Sequence, residues 1–288
     1  MIKTILTVAT GAESDGAVLA AALAVARTFA AHLDVLHVRF DATTAALAMT
    51  TDAGTGALTA GLIDRLEQDA KEREARAQAN FTRFCNDAGV AVLSAPVAGP
   101  PAAPSAQFHV ETGEEPRWMT VYGAAADLIV APRGDDDGAG ERRILEAVLI
   151  GAGRPLLIPT AAAMPESVER IAIAWKPTPQ AARAVALAMP FLARAHQVVV
   201  LTIEESPDAP DAAGRLLRNL AWHGFAARGE RLPPGPQGTA ATLLAAARDR
   251  ADLLVMGGYG HSRMREWVFG GVTQQALADA PLPVLIAH

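Results

Sequence analysis

The residues with the clearest chemical potential lie near the end of the chain. The apolar run Leu253 to Met256 leads into Gly257-Gly258-Tyr259-Gly260, and nine residues later Gly270-Gly271-Val272-Thr273 opens a helical pattern that runs to Ala280. A glycine loop between a strand and a helix start suits phosphate. Without Cβ atoms, backbone N–H groups approach the anion closely, and the helix N-terminus offers unpaired donors and a favourable dipole. The Thr273 hydroxyl would add a donor. A glycine pair after a strand also serves simply as a tight turn, so the spacing of the whole segment carries the argument.

Other chemistries lack their residues. A P-loop needs Lys-Ser or Lys-Thr after its glycines, and the only lysines, Lys3, Lys71 and Lys176, follow no glycine loop. Gly258-x-Gly260 and Gly138-x-Gly140 are followed at the third position by Arg263 and Arg143, which breaks the dinucleotide fingerprint. No Gly-x-Ser-x-Gly elbow or His-Glu-x-x-His helix occurs, and the seven histidines are scattered. Cys85 falls on an apolar helix face, where a thiol is packed and inert. The sequence therefore predicts no catalytic residues and no metal site.

The elements that must position the glycine loop occur twice. Lys3 to Val8 resembles Glu169 to Ala174, and an alanine-rich amphipathic helix follows each, Ala17 to Phe29 and Ala181 to Leu192. Second strands follow, Leu33 to Val38 and Val198 to Ile203. Ala126-Asp127-Leu128-Ile129-Val130-Ala131 then matches Ala251-Asp252-Leu253-Leu254-Val255-Met256. Both halves close on proline-flanked apolar runs, Arg154 to Pro159 and Leu282 to Ala287. Continuously apolar strands alternating with amphipathic helices predict an α/β fold of two doubly wound parallel-sheet domains. The expected domains are 1–160 and 166–288, with the boundary near Ala161 to Ala163. The proline-bearing terminal runs belong at sheet edges, where the two halves can pair as an internal pseudo-dimer.

The first half inserts extra sequence. A charged helix from about Ile63 to Ala88 carries Leu66, Ala70, Ala77, Phe81, Phe84 and Ala88 on one face, a buried stripe. Ala42 to Gly61 and Ala95 to Ser105 read as mobile loops. Where the second half has its glycine pair, the first has Pro132-Arg133-Gly134 and then Asp135, Asp136 and Asp137. The proline removes a donor and the carboxylates repel phosphate, so this half is not expected to bind ATP. Nor do three adjacent aspartates have the spacing of a calcium loop; they read as a solvated turn.

Composition bounds the rest. The 288 residues are 51% hydrophobic and 19% charged, enough for two cores. One cysteine forms no internal disulfide, which fits a reducing cytoplasm. Met1 to Val8 reads as a first strand rather than a leader, and no apolar stretch approaches membrane-spanning length. A net charge of −6 argues against general nucleic-acid binding. The charge is uneven: residues 1–160 carry −7 and residues 161–288 carry +1, so the second half is the better host for an anion.

The Gly-x2-Gly-x9-Gly-x-Val-Thr segment, with the repeat, resembles the universal stress protein family, most strongly over Ile171 to Ala188 and Ala251 to His288. That resemblance implies five-stranded parallel α/β domains that pair, and in many members ATP binding, with Gly257, Gly260, Gly270 and Thr273 on the phosphates and ribose. The expected cofactor-binding set is Gly257, Tyr259, Gly260, Gly270, Gly271, Val272 and Thr273, joined by the strand-end residues Trp175 and Ile203. Two positions depart from the family. Gly271 stands where Ser or Thr is usual, and Trp175-Lys176-Pro177 replaces the aspartate expected near the adenine. Trp175 either stacks on a base or packs internally; Lys176, His261 and Arg263 are further candidates for charge contacts.

The expected function is non-catalytic binding of ATP or ADP, with Mg as the companion ion, in a stress response. The expected assembly is a pseudo-dimeric monomer or a homodimer, and no protein partner is named by the sequence. The alternatives are a scaffold of the same fold that has lost nucleotide binding, and an enzyme on a related nucleotide-binding fold.

Overall fold

A computed structural model describes residues 1–44, 56–99, 101–133, 139–160, 164–165, 167–204, 211–258 and 271–288, with 56–60 and 139–143 as backbone only. The first half contains β1 (Thr4–Val8), α1 (Asp15–Phe29), β2 (His32–Arg39), α2 (Gly56–Ala88), β3 (Ala91–Val92), β4 (Ser105–Thr112), α3 (Glu115–Ala125), β5 (Leu128–Val130), α4 (Ala139–Gly151) and β6 (Leu156–Ile158). The second contains β7 (Arg170–Ala174), α5 (Pro179–Leu192), β8 (Gln197–Ile203), α6 (Gly214–Trp222), β9 (Ala227–Leu232), α7 (Thr239–Arg250), β10 (Leu253–Gly257), α8 (Gly271–Asp279) and β11 (Val284–Ala287).

The strands form one sheet in the order β3-β4-β2-β1-β5-β6-β11-β10-β7-β8-β9. The pairs within each half are parallel, as in β1 with β2 and β7 with β8. At the centre β6 and β11 run antiparallel, with Leu157 opposite Leu285. The two proline-flanked runs are thus the strands that join the halves. Prolines 155 and 283 precede the paired residues, so the ladder keeps its donors.

Helices cover both faces. Residues of α1, α2, α5 and α6 pack into one core, including Leu19, Phe81, Ala188 and Leu216. Residues of α3, α4, α7 and α8 pack into the other, including Met119, Leu149, Leu244 and Leu277. Coverage on two sides explains why the inner strands are apolar at successive positions rather than alternately. The sheet edges are guarded differently: β3 is two residues long, and β9 carries Arg228, Glu230 and Arg231. Glu230 is gripped by Arg250 of α7 at 2.6 and 2.9 Å, and this pair holds its carboxyl below the usual range.

The repeated Ala-Asp-Leu has a structural cause. Asp127 accepts from the backbone N–H groups of Lys3 and Thr4 at 2.7 and 3.1 Å. Asp252 accepts from those of Glu169 and Arg170 at 3.2 and 2.9 Å, and from the Arg170 guanidinium. Each aspartate fastens the start of its half's first strand to the start of the adjacent strand. Burial resists charge on Asp252, but the hydrogen bonds win and its carboxyl stays below the ordinary value.

Several details differ from the sequence expectations. The first half contributes six strands rather than five, because β3 joins its edge. The long helix begins at Gly56, not Ile63; a glycine inside a helix costs only about 1 kcal/mol against alanine, and the surrounding Ala and Leu are strong helix formers. Of the expected loop Ala42 to Gly61, residues 42–44 and 56–61 are helical and 45–55 lie outside the described residues. Of the stripe on α2, Ala70, Ala77 and Phe81 are buried, Phe84 and Ala88 pack half-buried against the same core, and Leu66 is half-buried; Cys85 is buried beside them, and burial pushes its thiol up.

Leu157 and Leu285 are fully buried at the seam. Leu285→Ala should lower the unfolding free energy by roughly 2–5 kcal/mol, through lost transfer energy and the cavity left behind. Urea unfolding followed by fluorescence measures the shift.

Candidate functional site

Open parallel sheets take ligands at the carboxyl ends of their strands. In the second half that end is built from β7, β10 and the first turn of α5. Thr178 caps α5, its hydroxyl oxygen accepting from the Ala181 N–H at 3.2 Å, and Pro179 occupies the first turn. Gly257 closes β10 against this turn. A Cβ there would lie 2.5 Å from the Ala181 nitrogen and 2.7 Å from the Gln180 carbonyl carbon, so only glycine fits. The next residue, Gly258, donates its N–H to the Ala287 carbonyl at 2.8 Å. A Cβ on it would crowd Ile286 and, from the other half, Leu149 of α4.

The remaining expected residues are placed as follows. Gly271 starts α8, and among the described residues nothing lies where its Cβ would be, so none of them requires glycine there. Thr273 is buried at 5% exposure in the first turn of α8. Val272 and Ile203 pack against the core beneath α7 and α8, whereas Trp175 packs against the opposite core, beneath α5 and α6. The structure therefore does not gather Trp175 and Ile203 on one face. The Trp175 indole donates to the Ala212 carbonyl at 2.8 Å, which supports the packing role for this side chain. Lys176 is exposed. Tyr259, Gly260, His261, Arg263 and Gly270 lie outside the described residues, as do Asp135 to Asp137.

Three side chains at this end were not singled out from the sequence. His288 Nδ1 donates to the Gly258 carbonyl at 3.2 Å, and the Arg183 guanidinium donates to the His288 carbonyl at 2.6 Å. Gln180 has its side-chain carbonyl oxygen buried with no hydrogen-bond partner among the described residues. Nothing in the local sequence marks these residues, because the fold brings the chain's last residue back over Gly258. Among the described residues the arrangement offers a close backbone approach, a helix N-terminus and the Arg183 and His288 side chains, features suited to holding an anion.

In the first half the corresponding strand end reads Pro132-Arg133. The Arg133 guanidinium donates to the Ala280 carbonyl at the end of α8 at 2.8 Å, while its Nε and second terminal nitrogen are buried without partners among the described residues. Burial lowers its pKa, against the opposing pull of Asp279. Among the described residues, no group of three or more His, Cys, Asp or Glu is arranged to hold a metal ion, and no helix is long and apolar enough to cross a membrane.

A second polar cluster lies on β2 and β4. Asp34 sits 2.8 Å from His109 Nε2 and 3.7 Å from His32 Nε2, and His32 Nδ1 is 2.8 Å from the Ser105 hydroxyl. The Tyr122 hydroxyl of α3 donates to Glu111 at 2.7 Å; burial and this bond push the phenol up to about 12. The Tyr122–Glu111 bond ties α3 to the sheet.

These features define a class: a three-layer α/β chain of two doubly wound halves, with a glycine-lined strand end in the second. Residues 235–288 match the model of the universal stress protein family. A universal stress protein from Archaeoglobus fulgidus DSM 4304 superposes with a TM-score of 0.67 at 16% identity, over 99% of this chain and 97% of that one. A putative universal stress protein from Pseudomonas aeruginosa UCBPP-PA14 gives 0.61 at 16% identity, over 99% and 93%. A functionally unknown protein from Pseudomonas aeruginosa PAO1 gives 0.60 at 15%, over 99% and 92%. A search of curated proteins found no match. Residues 235–288 are therefore similar to the universal stress protein family, and the chain over almost its whole length has the fold seen in universal stress proteins.

Two measurements check this geometry. Gly257→Ala should destabilise the chain by about 1–3 kcal/mol, because the methyl group meets backbone rather than a flexible side chain; thermal unfolding reads the loss. The second concerns acid. Burial lowers the pKa of His32, more than Asp34 raises it. The unfolded chain therefore takes up this proton first, and stability should fall as pH drops below about 6.5. His32→Gln should flatten that acid slope in urea titrations run between neutral and mildly acidic pH.

Proposed function

We propose that this chain is a tandem universal stress protein whose second half binds ATP or ADP without turning it over, while the first half completes the pseudo-dimer. The observation that carries the reading is the contact of Gly257 with the first turn of α5, which brings a strand end and a helix N-terminus close enough for both backbones to meet one phosphate group. The family match at 235–288 spans that glycine and the loop after it. The unpartnered Gln180 carbonyl and the Arg183 and His288 pair supply further polar groups at the same end. Magnesium enters with the nucleotide's phosphates. The single buried cysteine fits work in the cytoplasm, in a stress response.

A scaffold role without nucleotide is the second reading. It is favoured by the Trp175 indole, which is hydrogen-bonded within the fold in place of the aspartate that base recognition would use. Calorimetric titration with ATP and ADP separates the two. Saturable binding at one site per chain, abolished in Gly260→Asp, supports the nucleotide reading. No heat and no thermal shift at millimolar nucleotide supports the scaffold, and phosphate release over many turnovers would overturn both.

A further inference from the structure

The crevice at the strand ends of the first half is partly roofed by α2. Gly11 has φ +82°, and a Cβ on it would lie 2.5 Å from the Arg73 carbonyl oxygen, so the loop after β1 is pressed against the α2 backbone. Arg76 and Asn80 fasten the same loop, donating to the Gly11 and Ala12 carbonyls at 3.4 and 3.3 Å. The cavity left beside β1 and β2 is about 90 Å³, far too small for a nucleotide. The first half reaches the glycine segment of the second by a different route, across the seam.

Leu149 of α4 meets the near end of that segment. It is 1% exposed, and a Cβ on Gly258 would lie 3.0 Å from its Cδ2 and 3.0 Å from Ile286 Cδ1. Gly258 is thus held from two directions: Leu149 and Ile286 pack against its α-carbon, and its N–H is bonded to the Ala287 carbonyl at 2.8 Å. Side chains in a close-packed core do not follow a backbone shift freely, so Leu149 fixes where the chain stands as it leaves β10.

Arg133 meets the far end, through α8, whose first turn holds Gly271 and Thr273. Its guanidinium donates at 2.8 Å to the Ala280 carbonyl, at the helix C-terminus where the dipole favours a cation, and Asp279 adds to that pull. The anchor has a cost, since two of its nitrogens are buried without partners among the described residues. Buried donors left unmade in a native fold call for a compensating role. A helix of nine residues is short and stiff, so fixing its last carbonyls also fixes the direction of its first N–H groups.

We infer that Leu149 and Arg133 are positioning residues: the first half holds Gly258 and α8 of the second half in the arrangement that receives the phosphates. This rests on the nucleotide reading above. A site arranged before its ligand arrives binds more tightly, because none of the interaction is lost in ordering it.

Two measurements on the full chain test this: calorimetric titration with ATP, and amide hydrogen exchange without nucleotide. Leu149→Ala should bind ATP about three- to tenfold more weakly, because the competent arrangement becomes one of several. Its Gly258 N–H should exchange roughly tenfold faster relative to that of Leu254, which is bonded to Pro283 within the same strand. Leu149→Met, which refills the space, should restore both. Leu19→Ala, an equally buried leucine of the opposite core, should lose stability yet keep ATP affinity within about twofold. Arg133→Met removes two unpartnered buried donors along with the bond to Ala280, so it should weaken ATP about three- to tenfold without lowering the unfolding temperature. The arginine variant carries the test if Leu149→Ala does not fold. A parent chain that takes up no ATP overturns the nucleotide reading and this inference with it. A parent that binds overturns this inference alone if both variants bind as tightly, if Leu19→Ala weakens ATP equally, or if Gly258 exchange in Leu149→Ala is unchanged.

Discussion

The antiparallel pairing of β6 with β11 determines how everything else is arranged. Two parallel half-sheets that each end in a short apolar strand have an edge that water cannot satisfy well and that another strand can. Joining the edges gives Leu156, Leu157, Leu285 and Ile286 neighbours on every side and makes one eleven-stranded sheet. The same junction sets α4 and α8 beside each other's halves, which is why Gly258 of the second half lies against Leu149 of the first.

Much of this was legible in the amino acids. Runs such as Ile5 to Val8 and Leu253 to Met256 announce strands covered on both faces, and the recurrence of Ala-Asp-Leu announces two copies. The role of that aspartate was not legible, since its partners are backbone N–H groups over eighty residues away. β4 was missed although Ser105, Gln107, His109 and Glu111 alternate with Ala106, Phe108 and Val110. Its polar face carries the histidine cluster, and polar alternation beside a proline-rich loop has little of the apolar weight that marked the other strands. The spacing of the glycines is readable in the sequence, whereas Gln180 and His288 become neighbours of Gly257 and Gly258 only through the fold. For Trp175 the sequence left two roles open, and its bond to Ala212 supports packing.

The halves share a plan and have diverged in opposite directions at the same place. The second keeps glycines at the end of β10 and a nine-residue α6 beside β9. The first replaces the glycines with Pro132 and Arg133 and lays the 33-residue α2 across the end of β1. Proline removes a donor where phosphate would need one, and α2 narrows the space left over. The different strand ends and the different space beside them are therefore two results of changes in loops and insertions, with the strands between them undisturbed.

Arg133 gives this divergence a further meaning. It reaches across the junction to Ala280, and the equivalent residue in the second half is Gly258, which has no side chain to reach back. A homodimer shows every substitution twice, once on each side of its axis, so a bulky residue favourable on one side must also be tolerated on the other. A single chain holding both copies is free of that rule. The one-sided arginine uses that freedom: its contact with Ala280 places no demand on the matching position of the other half.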